Sequence, residues 1–336
     1  MEQSIYMPAE GRNGAGEAAR LQLAACELRA SALADTEQRL AAACAADAPS
    51  SARGRVVSGA LPVLVTCAPA DVAVERAPAP LATLLPRCAF LAPGCALARQ
   101  CAAFFAPALA TAPGKGGVDI GEAAALVWFS VEGAQGEAPL KSWWPAGAQY
   151  DLLARRASPW RLTAHFSRWP FGEGGAAALA LAPRVAFASA LKEAAFARHG
   201  SARAIMSAPA ATLEALWEAV DAADADAWRA PAEQLECSSS SSGAEPRGAP
   251  LRMYARGVGG AVEVATRLAN PRAALGDELR RFLQAGLAGI DIASLEGVEV
   301  RTQGVDPPLD APVGELLASL AGPDGFLHVT LVTEQQ

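Results

Sequence analysis

The order of strands and helices along this chain constrains its fold more than any other sequence feature, because nearly the same order occurs twice. Residues 61–170 run strand, strand, helix, strand, strand, helix, strand, and end in 160–166 (WRLTAHF), where apolar and polar residues alternate as in a half-buried strand. Most of that order returns in 251–333, which ends in the strand-like segment 326–332 (FLHVTLV). Two copies of one α+β plan predict two domains of similar fold, since 336 residues exceed the usual size of a single core.

A helical segment separates the two copies. From Pro183 the apolar residues recur every three or four positions, which is the spacing of one helix face. They fall in two groups, Val185, Ala188, Leu191 and Ala195, and then Leu213, Leu216, Trp217 and Val220. We therefore expect a helix-rich domain over 183–232. Five consecutive serines from Ser238 then predict a flexible linker over 236–250.

The N-terminal region contains few large apolar residues. Residues 1–50 are rich in Ala, Gly and Glu, and their leucines, among them Leu23 and Leu33, are too sparse to form a continuous apolar stripe. This pattern predicts a weakly ordered extension over 1–50. We expect a short N-terminal helix to follow over 51–60.

Two further elements are expected inside the first domain. A helix is predicted over 95–106, since Pro107 follows it, and a strand is predicted over 138–144 (APLKSWW). Tryptophans are expected mainly in the cores, with one or two exposed at grooves where other elements dock. These are Trp143, Trp144, Trp169, Trp217 and Trp228.

Charge, hydropathy and cysteine usage exclude several classes of protein. The chain has a net charge of −7 and no cluster of Lys and Arg, which argues against binding to nucleic acid. The apolar stretch 81–112 is interrupted by residues such as Pro86, Arg87 and Pro93, so it cannot supply the ~20 uninterrupted residues of a spanning helix. Seven cysteines without C-x-x-C spacing, and no signal-peptide pattern, predict a reduced cytoplasmic location.

Lysine is rare in this chain. Only Lys115, Lys141 and Lys192 occur among 28 basic residues, and all the others are arginine. Codon bias explains such a composition without any function. Even so, a Lys that is retained where Arg is preferred is a candidate for chemistry that needs a primary amine. The string 114–117 around Lys115 lacks the Ser or Thr of a phosphate-binding loop, so we expect no nucleotide cofactor.

No motif in the sequence predicts a catalytic residue or a metal site. Cys88, Cys95 and Cys101 lie in apolar surroundings, and we interpret them as buried free thiols rather than nucleophiles. His165 and His328 lie in strand-like segments without a Cys, Asp or Glu at ligand spacing. We therefore expect both histidines to be structural.

Short strings spread over the chain resemble those of the autophagy protein 5 family. In the first domain they are Leu84-Leu85-Pro86-Arg87, Val127-Trp128-Phe129 with Glu132-Gly133, Pro139-Leu140-Lys141, Asp151-Leu152-Leu153, and Pro159-Trp160 leading to His165-Phe166. Later they are Lys192-Glu193-Ala194, Leu216-Trp217, Trp228, Leu275-Gly276-Asp277 and Pro323-Asp324-Gly325-Phe326-Leu327-His328. Each string alone is unspecific, and it is their common order that carries the resemblance. It implies an α+β fold with two ubiquitin-like (β-grasp) domains flanking a helix-rich segment.

The same resemblance implies a role for Lys192. This residue matches the family's acceptor lysine, whose amine forms an isopeptide bond with the C-terminal glycine of autophagy protein 12, itself ubiquitin-like. The chain would be a non-catalytic scaffold that also binds a helix of autophagy protein 16. The resulting ligase-like complex would promote lipidation of the autophagy protein 8 class during autophagosome formation. Activating-like and conjugating-like enzymes would act transiently, and the complex would associate peripherally with the pre-autophagosomal membrane.

Two other functions stay open at this point. The chain could be a ubiquitin-like adaptor that is never conjugated, since ubiquitin-like folds serve many roles. It could also be a cysteine-dependent hydrolase, although the required pairing of Cys and His with an orienting carboxylate is absent as a motif. A mass increase on conjugation distinguishes the scaffold from the adaptor. Thiol alkylation without loss of activity distinguishes it from the hydrolase.

Overall fold

The computed structural model describes residues 51–109, 118–133, 136–154, 157–167, 175–240, 247–256, 262–284, 295 and 297–333. The extension predicted over 1–50 therefore lies outside the described residues. The elements of the first domain are α1 (Ala52–Ser58), β1 (Ala60–Cys67), β2 (Leu81–Pro86), α2 (Ala96–Phe105), α3 (Ile120–Ala124), β3 (Trp128–Gly133), β4 (Gly136–Pro139), α4 (Ala146–Leu153) and β5 (Trp160–His165). Two short 3-10 helices, Pro69–Asp71 and Ala106–Ala108, connect them.

The first domain is a five-stranded sheet covered by helices. Its strand order is β2-β1-β5-β3-β4, with β1 parallel to β5 and the other neighbours antiparallel. Side chains alternate along β1, so that Leu61, Val63 and Val65 are buried while the residues between them face outward. They share one core with Cys101 and Phe105 of α2. Burial of each large apolar side chain contributes roughly 1.5–3 kcal/mol.

The helical region packs against the first domain. It consists of α5 (Gly175–His199), α6 (Arg203–Met206), α7 (Ala210–Ala222) and α8 (Ala225–Ser240). The ring of Phe90, which follows β2, lies 6.5 Å from that of Phe187 on α5 and 5.7 Å from that of Trp217 on α7. Val57 of α1 belongs to the same apolar cluster. The helices therefore form one body with the first sheet.

The second domain repeats the plan with a smaller sheet. Its elements are β6 (Ala249–Arg256), β7 (Val262–Ala269), α9 (Leu275–Gln284), β8 (Val298–Arg301), α10 (Val313–Leu320) and β9 (Leu327–Thr333). The strand order is β7-β6-β9-β8, and β6 is parallel to β9 as β1 is to β5. Both α9 and α10 bury their apolar faces against this sheet.

Helix α4 joins the two sheet domains. Leu152 on its buried face packs with Tyr254 of β6 and Val332 of β9, and its carbonyl accepts a 3.1 Å hydrogen bond from Arg256. Next to this contact, Arg87 Nη2 lies 2.5 Å from an oxygen of Asp151. The two domains are thus held together by a buried apolar patch, and the Arg87–Asp151 ion pair lies beside it within the first domain.

Two helices extend beyond the bounds predicted for the helix-rich domain. The helix-rich domain was expected over 183–232, but α5 begins at Gly175 with Pro183 inside it, and α8 continues to Ser240. Proline removes one backbone donor, and alanine-rich sequence on its N-terminal side has a high helix propensity, so the helix continues through it. On α8 the buried Leu235 belongs to the helical core, and the helix continues beyond it.

The linker expected over 236–250 is correspondingly shorter. Its first residues belong to α8, and β6 begins at Ala249, so that 241–246 is the part of it outside the described residues. The strand expected over 138–144 is also wrong, because β4 ends at Pro139. The side-chain amide of Gln149 accepts a 2.8 Å hydrogen bond from the backbone N–H of Lys141 and donates a 2.9 Å hydrogen bond to its carbonyl. Because these backbone groups are paired with a side chain, Lys141 lies in a turn and not in a strand.

Candidate functional site

Lys192 lies on the exposed face of α5. Its neighbours on the opposite face, Ala190 and Ala194, are buried against Phe326 of the second domain. The Cβ atoms of a helix at spacing four share one face, so a small residue at each of these positions lets the second domain approach closely. Lys192 is thereby presented to solvent from a helix whose other side is covered.

The approach of the second domain depends on Gly325. This residue has a φ of +85°, and a Cβ placed on it would lie 2.9 Å from the Cβ of Ala194. A side chain would therefore be unfavourable there both for backbone conformation and for space. The loop from Pro323 to Phe326 therefore packs against Ala194, on the face of α5 opposite Lys192.

An ion pair crosses the same contact. Arg252 Nη2, on β6, lies 3.3 Å from Oε2 of Glu193, and the guanidinium carbon lies 4.1 Å from the centre of the Phe326 ring. Arg252 Nη1 lies 3.6 Å from Oδ2 of Asp324. Glu193 is thereby joined to a residue of another domain.

Asp324 extends this contact into the second domain. One of its oxygens lies 2.9 Å from Nε2 of His328, whose Nδ1 lies 3.0 Å from the hydroxyl of Tyr254. Burial alone would raise the pKa of Asp324, but His328 and Arg252 outweigh burial and hold it below its usual range. His328 thus lies between the Asp324 carboxylate, which accepts a hydrogen bond from Nε2–H, and the hydroxyl of Tyr254, which lies on the Nδ1 side of the ring. This places His328 in a buried hydrogen-bonded chain of the second domain.

The other two lysines have different surroundings. Lys115 lies outside the described residues. Lys141 lies in the turn after β4 with Nζ 5.8 Å from the centre of the Trp143 ring, and its backbone is fixed by Gln149. Of the two lysines that the structure describes, Lys192 is the one on a helix with an exposed side chain.

Four cysteines of the first domain are core thiols. Cys67, Cys88 and Cys101 are buried and Cys95 is partly buried, and none forms a disulfide. Burial raises the pKa of Cys88 and of Cys95 to about 12. The thiolate is the nucleophilic form, so these thiols are inert near neutral pH. The prediction of buried free thiols is confirmed for Cys88 and Cys101.

His165 belongs to a polar cluster on the first sheet. Its Nε2 lies 2.8 Å from Ser130 Oγ and 2.9 Å from Glu137 Oε1, and the ring stacks on Trp128 at 3.7 Å between centres. A catalytic Ser-His-acid triad needs the acid on Nδ1 and the serine on Nε2. Here both groups contact the same nitrogen, so the cluster ties neighbouring strands together and His165 is structural.

The tryptophans divide between core and surface. Trp228 is buried, Trp144 and Trp217 are partly buried against apolar clusters, and Trp143 is exposed. Trp169 lies outside the described residues. In the described part of the chain, no group of three His, Cys, Asp or Glu side chains could hold a metal ion. No helix in that part has the length and hydropathy to cross a membrane.

Two sheets in which the first strand lies parallel to the last, with a helical region between them in sequence, define a protein with two ubiquitin-like domains. Three family models match it in the same order. They are described as the UblA domain of autophagy protein ATG5 over 56–166, its alpha-helical bundle region over 182–235 and its UblB domain over 249–331. The chain belongs to the autophagy protein 5 family, which confirms the resemblance and the fold class.

Individual relatives agree with this assignment. Autophagy protein 5 of Aspergillus fumigatus is 31% identical over 200 residues, or 52% of this chain and 56% of that protein. Autophagy protein 5 of Oryza sativa subsp. indica is 33% identical over 174 residues, or 49% of this chain and 39% of that protein. The chain thus matches about half or less of the length of these relatives. The crystal structure of Kluyveromyces marxianus Atg5 shares the fold, with a TM-score of 0.59, 21% identity, and coverage of 84% of this chain and 99% of that one.

Proposed function

We propose that this autophagy protein is a non-catalytic scaffold that is joined through Lys192 to autophagy protein 12. The observation that carries the proposal is the presentation of Lys192, exposed on a helix whose opposite face is covered by the second domain. A reactive amine needs access for the conjugating enzyme and a fixed position at the same time. Both requirements are met at this residue.

The chemistry needs no cofactor on this chain. The Lys192 amine attacks the thioester carbonyl that links the partner's C-terminal glycine to the cysteine of a conjugating-like enzyme. The new N–C bond forms as the C–S bond breaks, the thiolate leaves, and the proton lost by the amine goes to solvent or to a base of the enzyme. Arginine cannot replace lysine in this step, because its guanidinium stays protonated and delocalised.

The surface around Lys192 supports docking of a protein. Val185 and Phe196 lie on the same exposed helix face, seven residues before and four after the lysine, and are 61% and 62% exposed. Exposed apolar side chains grouped in this way are typical of interaction sites. They offer a contact to the conjugating enzyme or to the partner joined at Lys192.

The wider complex follows from the same proposal. The scaffold binds a helix of autophagy protein 16, and the assembly promotes lipidation of the autophagy protein 8 class at the pre-autophagosomal membrane, with which it associates peripherally from the cytoplasm. An unconjugated adaptor is the alternative. The raised pKa values of Cys88 and Cys95 argue against a cysteine-dependent hydrolase.

A reconstituted conjugation reaction tests the proposal. Lys192→Arg should keep the fold and the charge but form no adduct with autophagy protein 12, as read by intact mass. Lys141→Arg and Lys115→Arg should form the adduct at the wild-type rate. Thermal melting of all three variants checks the fold. An undiminished adduct on Lys192→Arg would overturn the proposal, and no adduct on the wild-type chain would favour the adaptor.

A further inference from the structure

A cavity of about 60 Å³ lies behind Lys192, where α5, α8 and the second domain meet. Most of its wall is apolar, and is made of Leu191, Ala194, Ala195, Ile205, Leu216, Ala232 and Leu235. A single water needs about 10–15 Å³. The cavity therefore has room for a small aliphatic side chain.

Two buried N–H groups at this cavity have no acceptor among the described residues. They are Nε1 of Trp228 and Nε of Arg53, and both residues line the cavity. The guanidinium of Arg53 lies over the indole ring of Trp228, 5.1 Å from its centre. Buried hydrogen-bond donors are almost always paired with an acceptor in folded proteins. Two neighbouring donors without an acceptor therefore indicate that a ligand with an acceptor group binds here.

Two positively charged side chains, Arg53 and Arg198, also lie at the cavity. Arg53 forms an ion pair with Glu236, while Arg198 Nη1 is 3.9 Å from the same carboxylate, too far for a hydrogen bond. Burial lowers the pKa of Arg198. Burial and Arg198 lower that of the neighbouring His199. Two arginines thus share one glutamate.

The second acidic residue at the cavity does not balance this charge. Asp324 lines the cavity, but its oxygens are 2.9 and 3.1 Å from His328 Nε2 and one is 3.6 Å from Arg252. The cavity therefore combines an apolar chamber, two buried N–H groups without an acceptor among the described residues, and two arginines that share one glutamate. A carboxylate attached to an aliphatic group complements all three features.

We propose that this cavity binds a partner peptide in which an aliphatic residue is followed directly by Glu or Asp. The aliphatic side chain fills the apolar chamber. The carboxylate pairs with Arg198 and accepts a hydrogen bond from Trp228 Nε1–H. This site goes beyond the conjugation proposed above and does not depend on it, because the amine of Lys192 points away from the cavity-lining face of α5.

The indole N–H of Trp228 reports on the site directly. The full unconjugated chain, labelled with ¹⁵N, is titrated with acetyl-Ala-Leu-Glu-Ala-amide, and the Trp228 indole resonance is assigned by its absence in Trp228→Phe. We expect this resonance to shift on binding. The matched peptide with Gln in place of Glu should bind about tenfold more weakly, because a charge-assisted hydrogen bond is lost.

Variants on α5 complete the test. Arg198→Gln should weaken binding of the Glu peptide about tenfold and leave binding of the Gln peptide unchanged. The control is Arg184→Gln, on the same helix, because Arg184 is paired with Glu214 outside the cavity. This variant should bind both peptides like the wild type. Lys192→Arg should also bind normally, so failure of the conjugation proposal is distinguishable. A Trp228 resonance that does not move up to the solubility limit, or equal affinity for the Glu and Gln peptides, would overturn the inference.

Discussion

Arg252 Nη2 of the second ubiquitin-like domain lies 3.3 Å from Oε2 of Glu193, the residue next to Lys192 on α5. The same arginine contacts Asp324, which is 5% exposed, and stacks on Phe326. One side chain thus connects the helix that carries the candidate acceptor to the last domain of the chain. The helix that carries Lys192 thus contacts that domain through Glu193 as well as through Ala190 and Ala194.

Loss of Arg252 should destabilise the protein far more than loss of its partner Glu193. Arg252→Met leaves the buried Asp324 without its guanidinium partner, with His328 still beside it, and we expect the free energy of unfolding to fall by about 3 kcal/mol. Glu193 is 58% exposed, so Glu193→Gln should cost about 0.5 kcal/mol or less. Urea unfolding of both variants measures the difference. Equal effects would show that the arginine acts only through the surface pair.

Asp324 should make the free energy of unfolding fall at low pH. Its pKa is lowered in the folded protein, so its contribution is present above the unfolded value of about 3.9 and is lost as the pH falls through the folded value. Asp324→Asn should therefore flatten the fall in the urea midpoint below about pH 4. The exposed Asp277→Asn is the matched control and should follow the wild type. A wild-type slope in Asp324→Asn would contradict the assignment.

Asp151 should change the pH dependence of stability in the opposite direction. Burial raises its pKa, although Arg87 partly offsets that effect. The folded protein then holds a proton that the unfolded chain has lost, so this residue reduces stability as the pH rises from about 4 through its folded pKa. Asp151→Asn removes this term, and the urea midpoint should rise more steeply with pH over that interval than in the wild type. A shallower rise would contradict the direction of the shift.

Gly325 should tolerate alanine less well than another glycine with a similar backbone. Gly94 has a φ of +76°, and no atom lies within 4 Å of a Cβ placed on it. Gly94→Ala should therefore lower the free energy of unfolding only through backbone strain, by about 1–2 kcal/mol. Gly325→Ala adds a contact of 2.9 Å with Ala194 and should cost at least about 1 kcal/mol more. Thermal melting of the two variants side by side tests the close approach. Equal losses would mean that the loop moves away from α5 without cost.

The strands of both domains could be predicted because they depend on local pattern. Alternation in 160–166 and the branched residues of 326–332 identify β5 and β9, and the acceptor candidate came from a family-like string at Lys192. The helix ends could not be predicted in the same way. Pro183 and the serines from Ser238 are breakers by composition, but α5 begins before Pro183, at Gly175, and α8 continues to Ser240.

The surroundings of Lys192 could not be predicted either. Glu193 and Arg252 are 59 residues apart, and no spacing rule joins them. The cavity behind α5 likewise combines Arg53 with Arg198 and Trp228, from three separate helices. Such contacts exist only after the domains have packed, so the local pattern of a single sequence gives no signal for them.

Mapping the isopeptide bond by tandem mass spectrometry tests the central claim most directly. Trypsin cuts after Arg184 and Arg198 but not at a lysine whose amine is acylated. The conjugate formed with autophagy protein 12 should therefore yield the peptide 185–198 uncut at Lys192 and branched there with the partner's C-terminal fragment. A branch on Lys115, on Lys141 or on the N-terminal amine, with Lys192 cleaved as in the free chain, would contradict the account.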